Sequence, residues 1–343
     1  MSVFRQQPFY FNKPDIIRDS KQNFMASILI AEADTITTGD LDLTDYSIFR
    51  NAVMLNSVDT EKIFDSYADV EILAINKLAI NNRVLEKLPN LRFIQIMATG
   101  YDNVDLEACK DRGIQVCNVK DYSTDSVAQH VFALILALTN KVEYHWQMAR
   151  EGIWSREPKF TFYTPSIPEL RGKTLGIIGM GRIGHNVAEI ALAFGMEVIT
   201  YTRSPEKIGT SEIRFKELAD LTKSSDIISL HLPLTDDSQH MINEQFLDEM
   251  KENALLINTA RGGLIDEKAL YEALLNKKIK GAGLDVLTTE PPRGDHPLLT
   301  LSNCIITSHM AWATLDARKK LIEKATANIE TFLNEGRVPH SLV

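Results

Sequence analysis

A glycine turn in the middle of the chain constrains the fold more than any other feature. The run TLGIIGMGRIG, from Thr174 to Gly184, places three glycines in GxGxxG spacing after an apolar, strand-like segment. Helix-like sequence follows, and then a second apolar segment, MEVITY. A strand, glycine turn, helix and strand in this order form the unit that binds dinucleotides. The sequence therefore predicts that this turn binds a dinucleotide; the alternative is a βαβ turn with a purely structural role.

The turn itself supplies the first predicted cofactor contacts. Gly179 makes the tight bend, Gly181 lets the pyrophosphate approach the backbone, and Gly184 lets helix and strand pack closely. The amides of Arg182 and Ile183 stand at the positive end of the predicted helix. They are expected to receive the phosphates.

The second strand of this unit ends without the acidic residue that usually binds the adenosine ribose. Thr202, Arg203 and Ser204 stand there instead. A guanidinium can bind a 2′-phosphate bidentately, and no carboxylate is present to repel it. This pattern favours NADP(H). The alternative is NAD(H), with Arg203 as a solvated loop cation.

Two series of short apolar runs surround the turn, with intervals long enough for helices. This alternation predicts an α/β fold of two doubly wound parallel-sheet domains. The runs of the first series, between residues 28 and 118, are ILIAE, AVMLN, VEILAIN, FIQIM and IQVCN. Those of the second series are TLGIIG, MEVITY, SDIISLHL, ALLINT, GAGLDV and NCIITS.

Two helices are expected beside the second series. In STDSVAQH, Ser126 and Gln129 have capping-box spacing before an apolar helix near 127–139. A domain crossing is expected there. The last helix, roughly 313–334, is expected to cross back onto the first domain. Its apolar stripe and terminating glycine are Leu315, Ile322, Ile329, Phe332 and Gly336.

Composition narrows the possible partners and compartment. A chain of 343 residues, 44% hydrophobic, is long enough for two cores, and its net charge of −9 argues against a nucleic-acid partner. Three cysteines without CxxC spacing indicate neither a disulfide framework nor a metal site, so a reducing cytoplasm is expected. The apolar run 131–139 is too short to span a membrane. Residues 1–25 lack the apolar core of a secretory signal.

Three polar residues follow later strand-like runs of the second series. Arg261 follows ALLINTA, Glu290 follows GAGLDVLTT, and His309 follows NCIITS. Because the carboxyl ends of parallel strands converge on one crevice, these side chains are expected to meet there. The arginine fork would anchor a substrate carboxylate, and the imidazole would exchange a proton at the substrate carbonyl. The glutamate would orient the ring and favour imidazolium, so the set predicts hydride transfer on a small 2-keto or 2-hydroxy acid.

Each of these residues has an ordinary alternative as a solvated charge or a strand-end histidine. Chance placement of all three at the ends of successive strands is the weaker explanation. Among the other histidines, His130 is interpreted as a packed core residue and His296 as a turn residue. His231 is interpreted as a strand-end residue near the cofactor.

Several longer motifs resemble the D-isomer-specific 2-hydroxyacid dehydrogenases, in which arginine, glutamate and histidine occur in this order. The resemblance runs from residue 28 to about 332. It rests on ATGYDNVDLEACKDRGI, NVKDYSTDSVAQH, LGIIGMGRIG, LHLPLT, NTARGGLIDE, GLDVLTTEPP and SHMAWAT. Within the family, the chain is most similar to the glycerate dehydrogenase group, also called hydroxypyruvate reductases.

The resemblance implies a flavodoxin-like substrate domain made of residues 1–122 and 311–343 and a Rossmann cofactor domain of residues 123–310. It also implies a homodimer formed through the cofactor domains. Reduction of hydroxypyruvate, with some activity on glyoxylate, is the implied reaction. The alternative is a nicotinamide-sensing interaction protein, since the family includes transcriptional co-repressors with the same three residues.

The resemblance further assigns residues to the site. Backbone amides around Thr99 and Gly100 would hold the substrate carboxylate. Lys77 would line the cleft and Trp312 would close it; the alternatives are a solvated lysine and a packed hinge residue. The residues assigned to the cofactor are His231, Pro233, Thr259, Ala260 and Asp285, the last facing the nicotinamide carboxamide.

Three departures from relatives refine the expectation. Thr202 and Arg203 replace the acidic pattern of NAD-dependent members. Glu290 stands where formate dehydrogenases have glutamine, which argues against formate as substrate. The chain lacks the regulatory extension of many phosphoglycerate dehydrogenases, so a phosphorylated substrate is less favoured.

Overall fold

The computed structural model describes residues 27–56, 64–164 and 167–343, so the expectation about a secretory signal in residues 1–25 lies outside the described residues. The strands are β1 (Ile28–Ile30), β2 (Val53–Met54), β3 (Ile72–Ile75), β4 (Phe93–Ile96), β5 (Gln115–Cys117), β6 (Thr174–Ile178), β7 (Glu197–Tyr201), β8 (Ile213–Phe215), β9 (Ile227–Leu230), β10 (Leu255–Asn258), β11 (Gly281–Leu284) and β12 (Cys304–Ile306). The α-helices are α1 (Ala33–Ile36), α2 (Asn82–Glu86), α3 (Leu106–Asp111), α4 (Thr124–Asn140), α5 (Val142–Arg150), α6 (Ile153–Arg156), α7 (Arg182–Ala193), α8 (Leu218–Ser224), α9 (Glu244–Glu249), α10 (Glu267–Leu275) and α11 (Leu315–Glu335).

The first sheet contains the strands of the first series. Within the described residues its order is β2-β1-β3-β4-β5, and its neighbouring strands run parallel. This order is that of flavodoxin-like folds, with a switch point between β1 and β3. Separate apolar clusters cover its two faces. Strands buried on both faces need continuous apolar sequence, which explains why runs such as ILAI were recognisable.

The second sheet has the order β12-β11-β10-β9-β6-β7-β8 and is also parallel. Its strand order reverses between β6 and β9, as in dinucleotide-binding Rossmann folds. The prediction of two doubly wound parallel sheets is therefore confirmed. Strand β8 was not predicted. It is a short edge strand with two exposed residues, Arg214 and Phe215, so it lacks the apolar run of a buried strand.

Two helices differ in detail from their predictions. Helix α4 begins at Thr124, and its N-cap Ser123 makes no side-chain cap bond. The predicted capping box of Ser126 and Gln129 is therefore wrong: Ser126 lies inside the helix, and its hydroxyl donates to the carbonyl of Ala311. The Ser126 hydroxyl therefore makes a tertiary contact with a distant loop and does not cap its own helix.

The last helix packs against the first sheet. Ile322, Ile329 and Phe332 are buried in the cluster that includes Phe93, and Phe332 stacks on that ring. Gly336 ends the helix in the left-handed conformation, and its amide donates a hydrogen bond to the carbonyl oxygen of Phe332. Leu315 does not belong to the buried stripe, because it lies in the first turn and is 42% exposed.

The described residues contain no helix long and apolar enough to cross a membrane. Within the same part of the chain, no cluster of three or more histidine, cysteine, aspartate or glutamate side chains is arranged to hold a metal ion.

Candidate active site

A cleft of about 540 Å³ lies at the carboxyl ends of strands from both sheets. Its size falls within the range of small-molecule sites. Twelve of the residues predicted for the site line it: Lys77, Thr99, Gly100, Ile183, His231, Pro233, Thr259, Ala260, Arg261, Asp285, His309 and Trp312. The two sheets thus bring predicted substrate and cofactor residues to a common space.

His309 lines this cleft and forms a close side-chain pair with Glu290. His309 Nδ1 lies 2.6 Å from Glu290 Oε2, and the other carboxylate oxygen, Oε1, accepts from the Leu287 amide at 2.9 Å. Burial opposes ionisation of Glu290, but the hydrogen bond and charge of His309 outweigh burial and keep the pKa of Glu290 below its ordinary value. An ionised Glu290 accepts the Nδ1 proton, which leaves Nε2 for the cleft.

Arg261 follows β10 and reaches toward the first domain. Its Nη1 donates to the carbonyl of Ala260 at 2.8 Å, and its Nη2 lies 3.3 Å from Asp102 Oδ1. Gly100 lies directly beneath the guanidinium, since a Cβ there would be only 1.9 Å from Nη2. The glycine is needed for this close approach, which sets the arginine fork beside the amides predicted to hold the substrate carboxylate.

Lys77 and Trp312 occupy the first domain's side of the cleft. The loop that carries Lys77 is held by Glu32, whose Oε2 accepts from the amides of Asn76, Lys77 and Leu78, each at 2.8 Å. Burial and the nearby Arg261 lower the pKa of Lys77. Trp312 packs edge-on against Tyr122, with ring centroids 6.2 Å apart.

The glycine turn has the shape that a dinucleotide needs. Gly179 has φ +98°, and a Cβ there would be 2.4 Å from the His231 carbonyl oxygen. A Cβ on Gly184 would meet the Gly179 carbonyl oxygen at 2.4 Å, whereas one on Gly181 would meet no described atom within 4 Å. The backbone is therefore tight on the protein side and open at the position where a pyrophosphate would approach. The buried hydroxyl of Thr259, without a partner among the described residues, offers a cofactor a further hydrogen bond.

Two arginines, Arg182 and Arg203, lie at the edge of this turn. Arg182 pairs with Asp121 at 2.7 Å across to the first domain. Arg203 is exposed, in the loop between half-buried Thr202 and Ser204. That loop adjoins the glycine turn, because the Gly179 amide donates to the carbonyl of Tyr201 at 2.9 Å. A nicotinamide dinucleotide fits the residues present: the amides of Arg182 and Ile183 would hold its phosphates, and Arg203 would lie near its adenosine ribose.

His231 lies on the inner wall of the cleft, where its Nε2 is 2.8 Å from the Ser229 hydroxyl. Burial lowers the pKa of His231 to about 4, so the ring stays neutral at physiological pH. It is therefore unsuited to the role of proton donor.

The lowered pKa of His231 predicts a specific sensitivity to acid. The unfolded chain protonates this residue near pH 6.5, whereas the folded chain does so only near pH 4, so stability falls as pH drops between these values. The loss from this residue reaches about 3 kcal/mol. In urea unfolding at pH 7 and pH 4, His231→Gln is expected to show a smaller acid loss than the parent protein. The exposed His340→Gln should behave like the parent, and equal losses in all three proteins would contradict the prediction.

Several cleft residues were missed by the sequence analysis. Asp102, which pairs with Arg261, lies in the quoted motif ATGYDNVD only two residues after Gly100, so its position was a usable signal. Tyr122 and Val127 line the cleft from the start of the connecting segment and helix α4. Glu32 had no sequence signal, because its bonds to the Lys77 loop join distant parts of the chain.

A histidine whose proton is controlled by a carboxylate, beside a crevice shaped for a dinucleotide, makes this protein a nicotinamide-dependent oxidoreductase. Residues 132–311 match the family model described as D-isomer specific 2-hydroxyacid dehydrogenase, NAD binding domain. The chain belongs to this family, as its motifs predicted.

Individual relatives agree with this membership. A hydroxypyruvate reductase from Blautia hydrogenotrophica is 38% identical over 89% of this chain and 96% of its own length. A glyoxylate reductase from Aeropyrum pernix is 42% identical over 76% of this chain and 78% of its own. An NADPH-dependent glyoxylate/hydroxypyruvate reductase from Sinorhizobium meliloti, solved with NADP and malonate, superimposes with a TM-score of 0.79 at 27% identity, covering 93% of this chain and 97% of that one.

Proposed function

We propose that this protein reduces hydroxypyruvate to D-glycerate with a reduced nicotinamide, and that it also accepts glyoxylate. The observation that carries the proposal is the 2.6 Å contact of His309 with Glu290 in a cleft that also contains Arg261. The names of the relatives favour these substrates. They also favour an enzyme over the nicotinamide-sensing interaction protein, because the relatives described above are reductases.

The residues divide the reaction between them. Arg261 and the amides of Thr99 and Gly100 hold the substrate carboxylate, which orients the neighbouring ketone. His309 Nε2 gives its proton to the ketone oxygen, while Glu290 stabilises the ring before and after transfer. The bound nicotinamide supplies the hydride to the carbonyl carbon. In hydroxy-acid oxidation the neutral His309 removes the hydroxyl proton.

We assign Lys77 and Trp312 to the substrate side of the cleft, and Ile183, His231, Pro233, Thr259, Ala260 and Asp285 to the cofactor side. The packing of the last helix on the first sheet supports a substrate domain of residues 1–122 and 311–343. The packing of helix α4 on the second sheet supports a cofactor domain of residues 123–310.

The preferred cofactor is proposed to be NADPH, with NADH as the weaker alternative. The exposed Arg203 beside the glycine turn supports this preference, since an arginine–phosphate pair is a strong, directional contact. The NADP bound to the Sinorhizobium meliloti relative agrees with it.

The decisive assay measures initial rates with hydroxypyruvate, using NADPH and NADH side by side. Rapid turnover and a lower KM for NADPH are expected. Arg203→Ala should lower kcat/KM for NADPH by roughly 10- to 100-fold, the equivalent of a charged hydrogen bond, and leave NADH unaffected. Arg337→Ala serves as a control at an exposed arginine just after the last helix. Turnover that favours NADH would overturn the cofactor assignment, and binding of NADPH without turnover of any small keto acid would overturn the enzyme assignment.

We propose a homodimer formed through the cofactor domain. The segment 142–163 presents a concentration of exposed aromatic side chains, which are enriched in protein interfaces: Tyr144, Trp146, Trp154, Phe160 and Tyr163. The most exposed of these side chains is Phe160, at 92%.

Light scattering is expected to give twice the mass of the chain. Trp154→Asp combined with Phe160→Asp should produce a monomer, because charges are depleted from interface centres. Phe215→Asp, at the edge strand β8, should remain a dimer. A parent protein that is monomeric would contradict the proposal.

A reducing compartment, the cytoplasm, is the proposed location. All three cysteines are unpaired in the structure. Burial raises the pKa of Cys109 and Cys117 to about 11 and that of Cys304 to about 12, so these thiols are unreactive packing residues.

A further inference from the structure

One face of helix α4 forms hydrogen bonds with the loop that carries His309. Ser126 and His130 are one turn apart and therefore point to the same side of the helix. The Ser126 hydroxyl donates to the carbonyl of Ala311 at 2.6 Å, and His130 Nε2 lies 2.9 Å from the Thr307 hydroxyl. The two contacts fall on either side of His309 in the sequence.

The hydrogen bonds at Thr307 determine which way the proton of His130 points. The Thr307 hydroxyl has a single proton, and it donates this proton to Asp285 Oδ1 at 2.6 Å. Its contact with His130 must therefore be donated by the Nε2–H of the ring. His130 is thus a donor to the catalytic loop, and the interpretation of this residue as simple core packing is incomplete.

The Asp285 carboxylate accepts further hydrogen bonds from the same loop. Its side chain is 1% exposed, and its oxygens also accept from the amides of Met310 at 2.9 Å and Ala311 at 2.8 Å. A buried carboxylate requires such donors, because without them the cost of desolvation is uncompensated. His130, Thr307 and Asp285 therefore form a continuous, partly buried hydrogen-bond network attached to the His309 loop.

His309 needs this support because of its backbone. Its φ of +52° is left-handed, which is uncommon for a residue with a side chain, and its amide donates to the Asp285 carbonyl at 2.8 Å. Such a conformation persists only where the surroundings hold it. A loosened loop would relax and carry the imidazole away from Glu290.

We propose that Ser126 and His130 are positioning residues for His309, which hold its loop in the geometry required for proton transfer. The proposal rests on the function proposed above. It adds to that function a requirement for helix α4, which also contributes Val127 to the cleft wall.

Substitution of His130 tests the proposal through two matched variants. His130→Leu fills the space but cannot donate, whereas His130→Gln keeps an amide donor near the position of Nε2. His130→Leu is expected to lower kcat with hydroxypyruvate by roughly 10- to 100-fold, as small misplacements of catalytic groups do. The dissociation constant for NADPH, measured by fluorescence, should change little. His130→Gln should recover most of the rate.

A spectroscopic measurement separates this proposal from the proposed function. The hydrogen-bonded Nδ1 proton of His309 should give a low-field proton resonance, assigned by its loss in His309→Gln. The resonance should be lost or shifted in His130→Leu and retained in His130→Gln, whether or not hydroxypyruvate is the substrate. Ser126→Ala should weaken it too, and this variant replaces His130→Leu if that protein fails to fold. An unchanged resonance and unchanged kcat in the variants would overturn the proposal, while absence of turnover by the parent protein would count only against the proposed function.

Discussion

His309→Gln is expected to lower kcat for hydroxypyruvate reduction by roughly 100- to 10,000-fold, the range that a positioned proton donor contributes. The amide of glutamine can occupy the space beside Glu290, but it cannot give a proton to the ketone oxygen. His309 lines the cleft, and its Nδ1 is engaged by Glu290 at 2.6 Å. Nε2 is therefore the ring nitrogen that is left to give a proton to the substrate, and the substitution removes it.

The control is the same substitution at the exposed His340, which should leave kcat unchanged. NADPH binding, followed by fluorescence, should be nearly intact in His309→Gln, since the glycine turn is untouched. Retention of more than about a tenth of the parent kcat would exclude His309 as the proton donor. Loss of NADPH binding would indicate a structural role instead.

Arg261→Lys is expected to show the second largest effect. Lysine keeps the positive charge but lacks the planar fork that binds a carboxylate through two parallel bonds. Loss of a two-bond contact between a guanidinium and a substrate carboxylate is expected to cost about 2 to 3 kcal/mol, a fall in kcat/KM of roughly 30-fold or more. Most of the change should appear as a higher KM for hydroxypyruvate.

Gly100→Ala offers an independent way to disturb the same group. The new Cβ would lie 1.9 Å from Arg261 Nη2, so the guanidinium would have to move away from the substrate carboxylate. A similar rise in KM is expected, without any loss of charge. Arg293→Lys, at an exposed arginine, should match the parent protein. An unchanged KM in both Arg261→Lys and Gly100→Ala would remove Arg261 from the role of anchor.

Much of the fold could be predicted because its signals are local. Runs such as LGII, the buried part of strand β6, are continuously apolar, since these strands are covered on both faces. The glycine spacing at Gly179 to Gly184 is likewise a property of a single turn. Where burial is partial the signal weakens: edge strand β8 was missed, and Leu315 was wrongly included in a buried stripe.

The sequence by itself determined the two series of strands, the dinucleotide turn and the order of Arg261, Glu290 and His309. These features depend on neighbours in the chain and on the rule that parallel strands end at a common edge. Only the tertiary structure decided which side chains support them. Asp102 meets Arg261 across 159 residues, and Ser126 reaches Ala311 across 185. Such contacts depend on how the sheets and helices pack in three dimensions, and a local sequence pattern does not predict that packing.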